Sequence, residues 1–207
     1  TMKPFSKQEL IGVVLIIIAV FIFTFAGLQA SIRRSRDAQR RADLGAISDA
    51  LHKFQEEFGF FPPSDAGKIK ACKGNNFDEI LAEIKDTETF DRELFFQGLQ
   101  ACEYGVDSFR DTTDDSYTPY LTVIPSDPKT NEGFTYLYFS NTNRFQIYAY
   151  LEGELDEDEY NLGVVSRNLS CGAGICSFGK SSGETPLDIS IEEYERKLLE
   201  KSNSGKP

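Results

Sequence analysis

The sequence predicts an α+β protein in which one long N-terminal helix, first transmembrane and then amphipathic, packs on a head with a small antiparallel sheet. Three observations support this class: an uncharged apolar run near the N-terminus, an apolar stripe at helical spacing directly after it, and two strand-like runs in the second half. The chain has 207 residues, with 22 Lys and Arg against 33 Asp and Glu, a net charge of −11. This length and composition are typical of one globular domain with appendages.

The charge is unevenly distributed along the chain. Residues 1–41 hold seven Lys and Arg against two acidic residues, which leaves a net charge of −16 for the rest. Nucleic-acid binding depends on clustered cations that contact phosphates, so we expect no nucleic-acid partner. The single His and the lack of a phosphate-binding glycine loop, a G-x-S-x-G turn or an H-E-x-x-H motif indicate a protein that is not an enzyme.

The uncharged run covers residues 10–32 and predicts a transmembrane helix. Its 23 residues would span roughly 34 Å as a helix, which is enough to cross a bilayer. A cleaved secretory signal would have a shorter apolar region ending in small residues, whereas phenylalanines fill the end of this one. The residues expected to anchor the chain in lipid are Leu10, Ile11, Val13, Val14, Leu15, Ile16, Ile17, Ile18, Phe21, Ile22, Phe23 and Phe25.

The helix is expected to continue beyond the bilayer as an amphipathic stalk. Apolar residues recur there at spacings of three and four and form one stripe, which is typical of a helix that packs a head against itself. A glycine followed by two prolines then ends the helix. The stripe consists of Leu44, Ile47, Leu51, Phe54 and Phe58. The predicted segments are a charged N-terminal segment (1–9), a transmembrane helix (10–32), a stalk helix (33–61), an α+β head (62–190) and a C-terminal helix with a polar tail (191–207).

The head contains recognisable helices and a hairpin. Helical spacing of apolar residues predicts helices over 75–86 and 92–105 and at the start of the C-terminal segment. The strand-like runs 133–140 and 144–153 are joined by Asn-Thr-Asn, which indicates a β-hairpin. We expect residues 164–169 to supply a third strand.

Four cysteines, Cys72, Cys102, Cys171 and Cys176, favour disulfides, because none of their spacings suits a metal site. Three pairings can be drawn. Glycines between Cys171 and Cys176 allow a tight loop, and Cys72 with Cys102 would then bracket the inserted helices. A four-cysteine zinc site is the alternative.

The N-terminal third resembles a type IV pilin or type II secretion pseudopilin. The residues that carry the resemblance are Phe5-Ser6-Lys7-Gln8-Glu9-Leu10, the apolar run, and the arginine-rich stretch after it; the later segments IPSDP (124–128) and CGAGICSFGKSSG (171–183) resemble the head of secretion-type pseudopilins. The resemblance implies that Phe5 becomes the mature, methylated N-terminus and that Glu9 neutralises the freed amine of a neighbouring subunit. Phe5 and Glu9 are therefore the expected assembly residues.

Processing is the point at which the chain departs from the family. The prepilin peptidase of the family cuts after a Gly, whereas Pro4 precedes Phe5 here, and a tertiary amide with fixed φ presents a different backbone to a protease. If Phe5 is never freed, Lys7 of a neighbour is a substitute partner for Glu9, because an unpaired charge in the apolar interior costs several kcal/mol.

The expected function is that of a structural subunit that self-associates into a type IV pilus or type II secretion pseudopilus, with membrane lipid, other pilins or pseudopilins and an inner-membrane assembly platform as partners. The alternative is an unprocessed, single-pass membrane-anchored surface protein or minor pilin that does not form the filament body. A signal-anchored hydrolase that uses the head's carboxylates is a third reading, with no motif behind it.

The sequence gives opposing indications about orientation. Five arginines follow the apolar run within nine residues and favour a cytoplasmic head. Disulfides need an oxidising compartment, and the resemblance favours a cytoplasmic N-terminus with an extracytoplasmic head. We therefore expect a single-pass cell-membrane protein with its filament at the cell surface or in the periplasm. The arginines are expected to contact lipid headgroups or the acidic heads of neighbours.

Calcium is the one cofactor for which candidate ligands exist. Secretion pseudopilins bind calcium near the C-terminal loops of the head, and Asp111, Asp114 and Asp115 or the acidic residues of 152–159 are the candidates here. Neither run has ligands at alternate positions with a central glycine. A solvated acidic surface is therefore the preferred interpretation, with no cofactor.

Overall fold

The computed structural model describes residues 7–86, 89–153 and 159–204. Its first element is helix α1 (Lys7–Phe58), 52 residues in one continuous run and about 78 Å long. Gly59, with φ of +80°, ends it, and the Gly59 N–H donates to the Gln55 carbonyl at 2.8 Å. A positive φ costs glycine little, which explains why the helix stops here. The predicted continuous helix from the apolar run into the head is confirmed.

A first antiparallel sheet holds two inserted helices. Its strand order is β1-β2-β3, and the helices α2 and α3 lie in the chain between β2 and β3. The elements are β1 (Ser64–Asp65), β2 (Lys68–Lys73), α2 (Phe77–Lys85), α3 (Arg92–Gly98) and β3 (Leu99–Ala101).

The helix predicted over 75–86 is confirmed, but the one predicted over 92–105 is wrong in its second half. Helix α3 ends at Gly98, and the chain continues as β3. Gly98 lies so close to α2 that a Cβ there would be 3.1 Å from the Phe77 ring, and its carbonyl accepts the Gly74 N–H at 2.9 Å. Pairing with β2 therefore overrides the local helical spacing.

The second antiparallel sheet has the order β4-β5-β6, with β5 in the centre and buried at every residue. Its strands are β4 (Leu137–Ser140), β5 (Phe145–Ala149) and β6 (Phe178–Ser181). The predicted hairpin is confirmed, with Ser140 opposite Phe145 at its turn. The prediction of a third strand over 164–169 is wrong. That region begins in helix α4 (Leu162–Ser166), whose first turn is capped by the Asn161 side chain, and β6 supplies the third strand instead.

The core joins both sheets to the stripe of α1. Leu44, Ile47 and Leu51 are fully buried, and Phe54 stacks on Phe58 and on Phe109 with ring centroids 4.4 and 5.5 Å apart. The last element, α5 (Ile191–Ser204), buries only its first residue, so most of this helix stands on the surface. The head is thus α+β and is built around the second half of α1.

Of the three possible pairings of the four cysteines, the structure has the one that closes the tight loop between Cys171 and Cys176. Cys72 and Cys102 link β2 to the residue after β3, and Cys171 and Cys176 close a short loop; each pair has its Cα atoms 5.2 Å apart. No free thiol remains among the four cysteines, so none is available to bind zinc. Gly172 in the short loop is required by its surroundings, because a Cβ there would lie 1.9 Å from the Gly133 carbonyl oxygen.

Candidate functional site

The first half of α1 projects from the head with its apolar side chains uncovered. The twelve predicted anchor residues are 44–79% exposed on all sides of the helix. This helix is long and apolar enough to cross a membrane. An apolar surface of this size is unfavourable in water, so it requires lipid or other apolar helices around it.

Polar groups on this half are few. The Thr24 hydroxyl donates to the Val20 carbonyl at 2.7 Å, so it is satisfied within its own helix, as a lipid environment demands. Glu9 lies in the first turn of α1 and is exposed, at the end of the helix where a negative charge is favoured. The other expected assembly and processing residues, Pro4 and Phe5, lie outside the described residues.

Where α1 enters the head, Arg40 is completely buried and binds three carboxylates. Arg40 Nε and Nη2 donate to the two oxygens of Asp127 at 2.7 and 3.0 Å. Arg40 Nη1 donates to Asp37 Oδ1 at 2.7 Å and to Glu152 Oε1 at 2.9 Å. A buried guanidinium is tolerated only with such partners, because an unpaired buried charge costs several kcal/mol. We call Arg36, Asp37, Arg40, Asp127 and Glu152 the junction network.

The segment that follows β5 is fastened to α1 through the same network. Arg36 Nε donates to Glu152 Oε1 at 2.6 Å. Asp37 accepts the backbone N–H groups of Glu152 and Gly153 at 3.0 and 2.8 Å. Both oxygens of this buried carboxylate are therefore satisfied, and helix and sheet are joined by side chains and backbone together.

The arginines hold the pKa of Glu152 well below its ordinary value, at about 2. The hydrogen bond from Arg36 is the largest cause. Burial acts in the opposite direction, and the bond from Arg40 lowers the pKa further. Glu152 is therefore ionised at neutral pH and contributes a full negative charge to the junction network.

Two aromatic rings cover Arg40, and the short disulfide loop rests on them. The rings of Phe134 and Tyr150 stack with centroids 4.9 Å apart, and the Arg40 Cζ atom lies 5.9 and 5.7 Å from these centroids. A Cβ at Gly174 would lie within 2.9 Å of both rings. The loop 171–176 thus packs directly on the two rings that cover Arg40, which is completely buried.

About one turn further along α1, Asp43 makes another polar contact with the head. The Tyr136 hydroxyl donates to Asp43 Oδ2 at 2.6 Å. Burial raises the pKa of Tyr136, and the hydrogen bond to Asp43 raises it further. The phenol therefore keeps its proton and remains a donor to the helix.

The expectation that the arginine cluster contacts headgroups or neighbouring heads is wrong for Arg36 and Arg40, which bind carboxylates of their own head. Arg41 lies 3.3 Å from Glu159, and Arg34 remains exposed. One signal in the sequence could have indicated this pairing: Asp37 is the only acid inside the cluster and precedes Arg40 by three residues, a spacing at which helical side chains meet.

The candidate calcium ligands make separate contacts. Asp111 and Asp114 each accept hydrogen bonds from the residue two positions later, and Asp115 binds Lys73 Nζ at 2.9 Å. Within the described ranges these three carboxylates do not form a group close enough to share one ion. Residues 154–158 of the second acidic run lie outside the described residues. Calcium binding therefore stays the alternative to the predicted acidic surface with no cofactor.

Two other places where the chain could carry chemistry, the Cys72–Cys102–Asp107 group and His52, have structural contacts instead. Cys72, Cys102 and Asp107 lie close together, but the two sulfurs form a disulfide and are not thiolate ligands. His52 Nδ1 lies 2.8 Å from the Ser48 carbonyl oxygen, and its ring meets the Phe61 ring edge-on. This geometry is that of a histidine packed at the edge of the core.

No family model matches the chain, and no curated protein or solved structure is significantly similar to it. What the chain does is therefore inferred from its own residues and their geometry. Two features dominate that geometry: the uncovered apolar half of α1 and the junction network that fixes the other half in the head.

Replacing Arg40 by Leu should lower the free energy of unfolding by about 3–5 kcal/mol, because Asp37 and Asp127 would be left as buried charges without their cation. Arg41→Leu is the matched control. It removes a partly exposed ion pair and should cost under about 1 kcal/mol. Urea unfolding of the full chain in detergent micelles measures both, and equal effects of the two substitutions would contradict the role given to the junction network.

Acid should weaken the head through Glu152. Because its folded-state pKa of about 2 lies below the ordinary 4.5, its contribution is complete above pH 4.5 and is lost as the pH falls from 4.5 toward 2. The loss amounts to about 3 kcal/mol. In detergent, wild-type protein should lose this much more stability than Glu152→Gln over that window. Glu132→Gln, at an exposed ion pair, should retain the wild-type profile.

Proposed function

We propose that the chain is a structural, pilin-like subunit, anchored in a membrane by residues 10–32 and assembled through this helix into a type IV pilus or type II secretion pseudopilus. Its role is assembly and requires no cofactor. The observation that carries the proposal is the division of α1 into an uncovered apolar half and a half fixed inside the head. A helix that served only as the core of a soluble domain would be covered along its length.

Assembly would proceed by exchange of lipid neighbours for identical helices. Lipid tails are as apolar as the side chains of 10–32, so no hydrophobic drive favours helix association, and van der Waals packing and polar contacts must supply it. Glu9 at the tip of the helix is suited to set the register of this packing. Its partner would be the freed amine of Phe5 or Lys7 of a neighbour.

The proposed orientation has the N-terminus in the cytoplasm and the head outside, with the filament at the cell surface or in the periplasm. The two disulfides support it, because they persist in oxidising compartments. The opposing indication from the five arginines is weakened. Arg36, Arg40 and Arg41 each bind or approach a carboxylate of the head, which offsets their positive charge.

The partners that follow from this proposal are other copies of the chain, related pilins or pseudopilins, membrane lipid and an inner-membrane assembly platform. A prepilin peptidase is a partner only if the bond between Pro4 and Phe5 is cut. Nucleic acid is not among the partners.

A second candidate is a membrane-anchored surface protein or minor pilin that keeps its N-terminus and stays out of the filament body. Pro4 favours it, because a tertiary amide precedes the expected cleavage position. Intact mass measurement of protein extracted from native membranes distinguishes the two. A mature chain beginning at Phe5 is expected for the filament subunit, and retention of Met2 would favour the anchored protein.

Glu9→Ala should abolish fibres while leaving the protein in the membrane, because the apolar anchor is intact and only the charge that sets the register is lost. Electron microscopy of sheared surface material, labelled with an antibody to the head, measures fibre formation. Alkaline extraction of membranes measures insertion. Gln8→Ala, a neutral change one residue earlier, is the control and should assemble normally. Normal fibres from Glu9→Ala would refute the register role, and diffuse membrane label without fibres in wild-type cells would refute the filament.

A further inference from the structure

We propose that a groove at the end of the head farthest from the membrane, the distal groove, binds residues 29–34 of a second copy of this chain, the stalk base. The distal groove is lined by Glu56, Glu57, Phe58, Phe90, Tyr117 and Tyr120. This inference rests on the proposed function and adds the contact between heads and stalks that sets the order of subunits along the filament.

The distal groove consists of two adjoining clefts, of about 550 and 460 Å³, which share Glu57. Aromatic side chains are unusually open there: Phe90 is 48% exposed and Tyr117 is 45% exposed. The second cleft has an apolar floor formed by Phe58, Leu81 and Ile84. Exposed rings beside carboxylates are the surroundings that a guanidinium prefers, because it stacks on the ring and pairs with the acid.

Three carboxylates, Glu56, Glu57 and Asp111, outnumber the two lysines around the groove and leave it with a negative charge. Glu56 is exposed and makes no ion pair within the described part of the chain, whereas Glu57 already accepts a hydrogen bond from the Tyr120 hydroxyl. Lys53 lines the same cleft as Glu56, and Lys85 lines the apolar one. Asp111 lies near the two tyrosines and adds to the negative charge of the groove. The groove therefore favours a segment that combines an apolar residue with a cation.

The stalk base presents this combination. Among the described residues, Arg34 is exposed and makes no ion pair, whereas Arg36, Arg40 and Arg41 have carboxylate partners. Ala30, four residues before Arg34, is exposed and lies on the same face of the helix. A small apolar side chain for the aromatic floor and an arginine for Glu56 thus lie on one face of α1, where the apolar run ends.

The two surfaces cannot meet within one molecule. Arg34 and Glu56 lie on the same continuous helix, 22 residues apart, which places them about 33 Å from each other along its axis. Copies inserted in one direction run parallel, so Arg34 of one copy reaches Glu56 of another only when the copies are offset by about this distance. Such a head-to-tail contact leaves one groove and one stalk base unused at the ends, and it continues into an open filament.

Charge reversal in the full chain tests the contact. Arg34→Glu and Glu56→Arg should each lower the yield of sheared fibres about tenfold or more, since each places like charges together. The double variant should recover most of the wild-type yield. Arg196→Glu, the same change on exposed α5, should leave it unchanged. Wild-type yield from Arg34→Glu, or a double variant no better than its parents, would overturn the contact and leave the filament in place.

Crosslinking separates this inference from the filament itself. A zero-length carbodiimide reagent applied to membranes and fibres of the R34K variant should join position 34 to Glu56 or Glu57, and the 33 Å separation within one chain means that the link is between copies. In a bilayer the apolar runs hold parallel copies at one height, so the link should form in fibres, and a link in membranes without fibres would contradict the 33 Å offset and overturn the contact. Links from Glu56 only to another protein, or no link at all, overturn the contact. Reconstructed fibres should contain subunit pairs offset by about 33 Å along the axis.

Discussion

The buried guanidinium of Arg40 is the constraint on which the arrangement of helix and head depends. Beside Asp37 of the same helix, two carboxylates from distant parts of the chain, Asp127 and Glu152, must converge on it, and they do so only if α1 enters the head at one rotation and one height. Replacement of such a network by apolar residues is often neutral or stabilising, so its value lies in specificity more than in net stability. A slipped or rotated helix would bury Arg40, Asp37 or Asp127 without a partner, and that penalty selects one registry. The aromatic cover and the disulfide loop above it keep water from relieving the penalty.

The two halves of α1 have different surroundings: the first half is uncovered and apolar, and the second half is packed in the head. In the first half, beyond its first turn, the backbone N–H groups bond within the helix, as a single segment in lipid requires. In the second half, an apolar stripe is buried in the core while Arg36, Asp37 and Arg40 bind the head. No break separates the halves. Because α1 is continuous, a displacement of the head is transmitted to the apolar half as a displacement of one rod.

The elements with a local signal can be predicted from the sequence, whereas those that depend on distant parts of the chain cannot. The long helix, α2, the hairpin and α5 follow from the spacing of apolar residues, and the short disulfide loop follows from the glycines between its cysteines. Strand β3 could not be found this way, because the helical spacing beyond Gly98 is overridden by pairing with β2. The partners of Arg40 were equally hidden: Asp127 and Glu152 lie 87 and 112 residues further along the chain. No periodicity connects positions so far apart, so these arginines looked like a surface cluster.

In the proposed filament, the distribution of charge along α1 would give assembly a direction. Glu9 lies at the inner end, the exposed Arg34 lies above the apolar run, and the exposed Glu56 lies at the outer end of the same rod. Helix packing in lipid is weakly specific, since apolar side chains of neighbouring copies can slide past one another at little cost. Polar groups at fixed heights remove that freedom, because a slip by one turn separates each pair by about 5 Å. A rigid rod with charges at three heights therefore has few favourable offsets against an identical rod. The junction network makes those heights a fixed property of the head as well as of the helix.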